Sequence, residues 1–96
     1  MKIKTSSGFE CDIPKGLSGD FRFLRARMAL KSPDPETANQ AALDLVPIVF
    51  CDRAEEERFL LHLADKSGRV MLEDVFREIG EILSQAREKD KRIKNS

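Results

Sequence analysis

The fold of this chain is decided at residues 72–86, whose sequence is LEDVFREIGEILSQA. Apolar side chains recur there every three or four positions, which places them on one face of an α-helix. This stripe consists of Leu72, Val75, Phe76, Ile79, Ile82, Leu83 and Ala86. The pattern predicts a long amphipathic helix that starts at Glu73 or Asp74. Gly80 lies inside it and permits close approach by a helix of the same chain or of a second subunit.

A second helix is predicted immediately upstream. Asp52 is a suitable N-cap, and Glu55 stands three residues later, at the position of a capping box. Gly68 can accept the left-handed conformation that often ends a helix. The sequence therefore predicts a helix that begins after Asp52 and closes at Ser67 and Gly68.

The central part of the chain predicts another helix, from Pro35 onward, with Asp34 as its cap. Pro47 interrupts this helix, so we expect a kink or an end there. Residues 45–50 (LVPIVF) form the most apolar segment of the protein and are predicted to lie in the core.

The first predicted helix covers about residues 19–31, with Ser18 or Asp20 as its cap, and it is apolar on two sides. One stripe consists of Phe21, Leu24 and Met28. The opposite stripe consists of Phe23, Ala26 and Leu30. Such a helix is either buried on both sides or offers one side to a partner.

The N-terminal segment alternates polar and apolar residues with a period of two, which predicts a β-hairpin. A three-residue loop at Ser6-Ser7-Gly8 puts all apolar side chains on one face and opposite charges across the strands on the other. The predicted pairs are Met1–Ile13, Lys2–Asp12, Ile3–Cys11, Lys4–Glu10 and Thr5–Phe9. An isolated hairpin is marginally stable, so its apolar face must rest on the helices.

The composition fits one small domain. The chain has 96 residues, of which 41% are hydrophobic and 35% charged, and its 17 basic and 17 acidic side chains cancel. We therefore predict an α+β, mainly α protein, an N-terminal β-hairpin packed on a bundle of about four helices. Residues 1–86 form the domain, with the hairpin at 1–14 and the helices at 19–86, and residues 87–96 form a polar, basic, frayed tail.

The sequence contains no pattern typical of an active site. It has a single histidine, His62, no CxxC or Cys/His cluster, no nucleophile elbow and no phosphate-binding glycine loop. We therefore expect no enzymatic activity, no metal and no cofactor. Cys11 and Cys51 are predicted to be free, partly buried thiols. No segment is typical of a signal peptide or a membrane span, which favours a cytoplasmic location.

The order of these signals resembles the tail assembly chaperones of long-tailed bacteriophages, over nearly the whole chain. The segments that carry the resemblance are 7–14 (SGFECDIP), 20–24 (DFRFL), 55–63 (EEERFLLHL), 67–70 (SGRV), 72–83 (LEDVFREIGEIL) and 94–96 (KNS). The proline-rich link at 32–35 and Pro47 depart from the pattern of the family.

The resemblance implies a non-enzymatic assembly factor in the cytoplasm of the host cell. Such proteins bind the tape measure protein, keep its apolar helices soluble, help tail tube subunits to polymerise, and are absent from the virion. Binding an apolar helix requires an exposed apolar surface with a charged rim. The candidate contact residues are Phe23, Leu30, Leu43 and Leu61, with Arg87 and Lys91 in the basic tail. Self-association is also expected, because pairing hides spare apolar faces.

Two other functions remain open. The basic tail is compatible with a small nucleic-acid-binding or regulatory protein, although the zero net charge and the lack of a recognition helix count against nucleic acid. A structural component of the tail or of the head-joining region is the second alternative. It differs from a chaperone in remaining in the finished particle.

Overall fold

A computed structural model describes residues 1–50 and 52–94, with side chains described as far as Lys89. Four helices and a two-stranded antiparallel hairpin make up these residues, and the hairpin packs against the helices. The predicted fold class is thereby confirmed. In chain order the elements are β1 (Lys2–Lys4), β2 (Glu10–Asp12), a short 3-10 turn (Leu17–Gly19), α1 (Phe21–Leu30), α2 (Pro35–Phe50), α3 (Arg53–Leu63) and α4 (Leu72–Lys94).

The hairpin has the predicted register. Its strand pairs are Lys2–Asp12, Ile3–Cys11 and Lys4–Glu10. The loop closes with the backbone N–H of Thr5 donating to the carbonyl of Phe9 at 2.9 Å. Gly8 takes a φ of 91°, which side chains with a Cβ rarely adopt. The alternation decides the register because a shift by one residue would turn every apolar side chain to solvent.

The core lies where the inner face of the hairpin meets α2, α3 and α4. Three phenylalanine rings, those of Phe9, Phe50 and Phe59, form its centre. The centroid of the Phe9 ring lies 5.3 Å from that of Phe59 and 6.1 Å from that of Phe50, and the centroids of Phe50 and Phe59 lie 4.8 Å apart. Phe50 belongs to the apolar segment 45–50, which contributes four buried side chains to this core. The exceptions in that segment are Pro47, which is exposed, and Ile48, which is half-buried.

The starts of α1 and α3 follow the capping signals in the sequence. The carboxylate of Asp20 accepts from the backbone N–H of Arg22 at 2.8 Å, and that of Asp52 accepts from Ala54 at 2.8 Å. The predicted capping box at Asp52 does not form. The backbone N–H of Asp52 donates to Phe50, and the Glu55 carboxylate pairs with Arg58 at 2.8 Å instead.

Of the two outcomes predicted at Pro47, a kink or an end, the end does not occur, and the predicted end of α3 is wrong. Helix α2 continues through Pro47 to Phe50. Pro47 and Leu43 are both exposed, so the carbonyl that loses its N–H partner faces water. Helix α3 ends at Leu63, before the predicted position. Gly68, with a φ of 85°, belongs to a separate turn in which the Asp65 carboxylate accepts from backbone N–H groups.

Helix α4 has 23 residues and runs to Lys94, which is about 34 Å of helix. The frayed tail predicted from residue 87 is therefore helical as far as Lys94, and the division of the chain at residue 86 stays a prediction. Gly80 is exposed, and apart from its chain neighbours and the backbone of its own helix, no atom of the described residues lies within 4 Å of where its Cβ would stand. The close approach predicted there does not come from a helix of the described core.

Candidate functional site

A polar cluster, buried at Thr5 and Glu78 and exposed at Ser7 and His62, joins the hairpin turn to α3 and α4. The Glu78 side chain is fully buried, and its Oε1 accepts hydrogen bonds from Thr5 Oγ1 at 2.8 Å and from Ser7 Oγ at 2.5 Å. Ser7 Oγ also lies 3.1 Å from His62 Nε2.

The cluster contains a serine, a histidine and a carboxylate, but their order differs from that of a serine hydrolase. In such an enzyme the imidazole lies between the hydroxyl and the carboxylate, where it can accept the proton of the nucleophile. Here the Ser7 hydroxyl lies between Glu78 and His62, and the His62 ring packs 5.3 Å from the ring of Phe9. This arrangement fixes the hairpin turn to two helices.

A second contact strengthens the same attachment. The Glu81 carboxylate, one turn after Glu78, accepts from the backbone N–H of Ser6 at 2.8 Å and from its hydroxyl at 3.0 Å. The turn thus presents its polar groups to two carboxylates of α4. No local pattern in the sequence indicates this cluster, because Ser6 and Ser7 have the composition of an ordinary hairpin loop and Glu78 adjoins an apolar stripe.

The described residues offer no group of histidine, cysteine, aspartate and glutamate side chains that could hold a metal ion. Cys11 is a free, buried thiol on β2. Burial raises its pKa from 9.0 to about 11, although the nearby Arg58 guanidinium opposes the shift. A thiol protonated at neutral pH is a poor nucleophile, so Cys11 serves as a small apolar core residue. Cys51 lies outside the described residues.

The predicted contact residues differ in how far their side chains are exposed. Phe23 is only 2% exposed and belongs to the core, so its assignment to an exposed surface is wrong. The reason is that the Phe23 and Ala26 side of α1 packs against the rest of the protein. Leu30 is half-buried against the same core. Leu43 and Leu61 are exposed, at 63% on α2 and 75% on α3.

The two predicted basic contacts lie on α4. The Arg87 side chain is exposed. The Lys91 side chain lies outside the described part of the structure. The structure therefore leaves three predicted residues accessible, Leu43, Leu61 and Arg87, on three different helices.

The outward face of α1 carries the most exposed apolar stripe. Phe21 is 74% exposed and Met28 is 71% exposed, and Leu24 lies half-buried between them. These residues form one of the two apolar stripes that the sequence predicts on this helix, opposite the stripe of Phe23, Ala26 and Leu30. We name this face, Phe21, Leu24 and Met28, the α1 stripe.

Basic side chains border the α1 stripe on both sides. Helix α1 contains three arginines and no acidic residue, and Lys31 follows as its C-cap. At about 100° per residue, Arg22 and Arg25 lie on one side of the stripe and Arg27 and Lys31 on the other. The Arg25 guanidinium lies 5.6 Å from the centre of the Phe21 ring, within the range of a cation–π contact.

Few of these charges are neutralised. Arg22 lies 4.0 Å from the capping carboxylate of Asp20. Within the described residues, Arg25, Arg27 and Lys31 form no ion pair. On the Arg22 and Arg25 side, α1 borders a groove of about 760 Å³ shared with α2. Its far wall carries Asp34, Glu36 and Asp44.

Comparison with known proteins does not assign the chain to a family. No protein-family model matches it, and no curated protein or solved structure does either. In the described part of the chain, no helix combines the length and the apolar composition needed to cross a membrane.

Proposed function

We propose that this protein is a non-enzymatic phage tail assembly chaperone that binds the tape measure protein before the tail tube closes around it. It keeps apolar helices of that client soluble in the host cytoplasm, helps tube subunits to polymerise, and leaves before the particle is complete. The observation that carries the proposal is the α1 stripe, a row of large apolar side chains held outward on a packed helix.

Helix α1 is suited to present such a stripe because its other side is anchored. Phe23 and Ala26 are buried, and the Asp20 cap holds the first turn. The face is therefore rigid before a partner binds, which reduces the entropy lost on binding. Scattered exposed apolar residues are normal on a protein surface, but Phe21 and Met28 lie on one face two turns apart.

Leu43 and Leu61 extend the proposal to self-association. Each is a single exposed leucine on a polar helix face, too little for a stable interface alone. A tape measure protein offers many helical segments, so several copies of the chaperone can bind along one client. The exposed leucines of neighbouring copies, Leu43 and Leu61, would then lie close to each other. The protein therefore acts as an oligomer on its client.

The experiment is a co-purification from cells that make the tagged protein together with the other tail proteins of the phage. Mass spectrometry identifies the bound proteins, and purified particles are probed for the tag. Recovery of the tape measure protein, with the tag missing from particles, supports the proposal. Tag in the particles would identify a structural component, and recovery of nucleic acid alone, lost at high salt, a nucleic-acid-binding protein.

A further inference from the structure

The composition of the α1 stripe restricts the kind of partner that fits it. Phe21 and Met28 are separated by seven residues, which is about 10 Å along the helix axis. Two turns of apolar contact match the i, i+3 and i+7 positions of an amphipathic helix laid alongside. The stripe is narrow, since Arg25 adjoins it on one side and Lys31 on the other.

The charges decide the sign of the partner. Four basic side chains lie on or next to α1, and no acidic residue lies within the helix. The Asp20 cap lies 4.0 Å from Arg22, and Asp34, Glu36 and Asp44 line the far wall of the groove beside Arg22 and Arg25, so the least compensated cations are on the Arg27 and Lys31 side. A helix docked on the stripe would place its own flanking residues opposite these cations. Acidic flanks would form ion pairs there, whereas basic flanks would be repelled.

We propose that the α1 stripe is the docking site for an amphipathic helix whose apolar face is bordered by glutamate or aspartate. This inference rests on the proposed function and adds the place on the chaperone and the charge pattern of the client segment. The client helix lies along α1, with its apolar side chains on Phe21, Leu24 and Met28 and its carboxylates next to Arg25 and Lys31.

Two other occupants fit less well. A second copy that paired α1 with α1 would set basic flanks against basic flanks, which is unfavourable. An anionic membrane surface also attracts a helix with basic flanks. However, the packing of α1 on the protein core limits the available apolar contact to about two turns, less than most membrane-surface helices bury.

The test uses the full chain and two labelled synthetic peptides of about 18 residues on an alanine-rich background. Both carry leucines at the same helical positions, and the flanks are glutamate in one and lysine in the other. Fluorescence anisotropy measures the two dissociation constants. We expect the glutamate peptide to bind at least about tenfold more tightly at low salt, with the difference shrinking as salt is raised.

Three variants locate the site. The double change Phe21→Ser and Met28→Ser should weaken binding of the glutamate peptide by about tenfold or more. The matched control, Met71→Ser with Leu72→Ser, removes two exposed apolar side chains from just before and at the start of α4, and it should leave binding unchanged within about twofold. Arg25→Glu with Lys31→Glu should reverse the preference between the peptides. All six substituted positions are exposed, and circular dichroism checks that each variant is folded.

Several results would overturn the inference. These are binding of neither peptide, equal binding of both, or an equal loss of binding in the Met71 and Leu72 control variant. Binding to phosphatidylglycerol vesicles without peptide binding would identify a membrane surface. Sedimentation equilibrium tests for self-pairing: an oligomer that dissociates when Phe21 and Met28 are changed, without peptide binding, would make the stripe a contact between copies.

The same variants separate this inference from the proposed function. If the Phe21 and Met28 double variant still recovers the tape measure protein from cells, the docking site is wrong and the function stands. If the wild-type chain binds the glutamate peptide but recovers no tape measure protein, the site stands and the function is wrong.

Discussion

Two phenylalanines on α1, Phe21 and Phe23, should lose very different amounts of stability on truncation. Phe23 is 2% exposed, so Phe23→Ala removes a buried ring and leaves a cavity, at a cost of about 3–4 kcal/mol in the free energy of unfolding. Phe21 is 74% exposed, so about a quarter of its surface is covered. Since full burial of such a side chain is worth about 1.5–3 kcal/mol, Phe21→Ala should cost less than about 1 kcal/mol.

The comparison is controlled by the helix itself. Both substitutions replace phenylalanine by alanine inside α1, so the change in helix propensity is the same and the difference reports burial. The Arg25 contact with Phe21 adds about 0.5 kcal/mol at an exposed site, which does not change the ranking.

Urea unfolding followed by far-UV circular dichroism measures both changes. In a chain of this size, a loss of about 3 kcal/mol lowers the melting temperature by more than about 10 °C. Should Phe23→Ala leave too little folded protein, Phe23→Leu is the milder substitute, with an expected loss of about 1–2 kcal/mol. Equal losses at Phe21 and Phe23 would refute the reasoning, because α1 could not then be packed on one side only.

Two further predictions concern buried polar groups. Glu78→Ala leaves the hydroxyls of Thr5 and Ser7 without their acceptor, whereas Glu78→Gln keeps an oxygen atom in that place. We expect Glu78→Ala to lower the free energy of unfolding by about 1–3 kcal/mol more than Glu78→Gln does. Equal losses of the two variants in urea unfolding would contradict this expectation. Burial raises the pKa of Cys11 from 9.0 to about 11, so the folded protein keeps this thiol protonated at pH values where the unfolded chain loses the proton. The stability that the buried thiol contributes is therefore complete below pH 9 and is lost as the pH rises toward 11. In a Cys51→Ser background, Cys11→Ala should reduce this alkaline loss, and an unchanged pH profile would argue against a buried thiol.

The local pattern was sufficient for the hairpin and for α4. Alternation with a period of two leaves only one register in which Ile3 and Cys11 share a buried face. The repeat from Val75 to Ala86 leaves only one face of α4 that can enter the core. In both elements only one arrangement buries all the apolar side chains, so it can be predicted without knowing the tertiary contacts.

Pro47 and Gly68 show where local signals mislead. Proline removes one helical hydrogen bond, but the freed carbonyl lies on the solvent side of α2, where water can satisfy it. Gly68 has the left-handed backbone conformation that ends many helices. It lies in a separate turn instead, in which the Asp65 carboxylate accepts a hydrogen bond from the backbone N–H of Arg69. The outcome depends in each case on groups that the local pattern does not include.

The candidate contact surface could be predicted only in part. The sequence alone shows that α1 has two apolar sides, and it places Leu43 and Leu61 away from the main stripes. It cannot say which side of α1 is buried, because both offer apolar side chains of similar size and the choice depends on how α2 and the core fit against them. Phe23 was assigned to the surface for this reason, and Phe21 and Met28 lie there instead.

The class of fold, the register of the hairpin and the inward face of α4 follow from local patterns, because the periodic pattern in each element has one way to bury its apolar residues. The outward orientation of the α1 stripe and the burial of Glu78 beneath the hairpin turn follow from tertiary packing. Both depend on contacts between segments far apart in the chain. The Oε1 atom of the buried Glu78 side chain accepts from the hydroxyls of Thr5 and Ser7, more than 70 residues away in the sequence, whereas its Oε2 atom has no hydrogen-bond partner among the described residues.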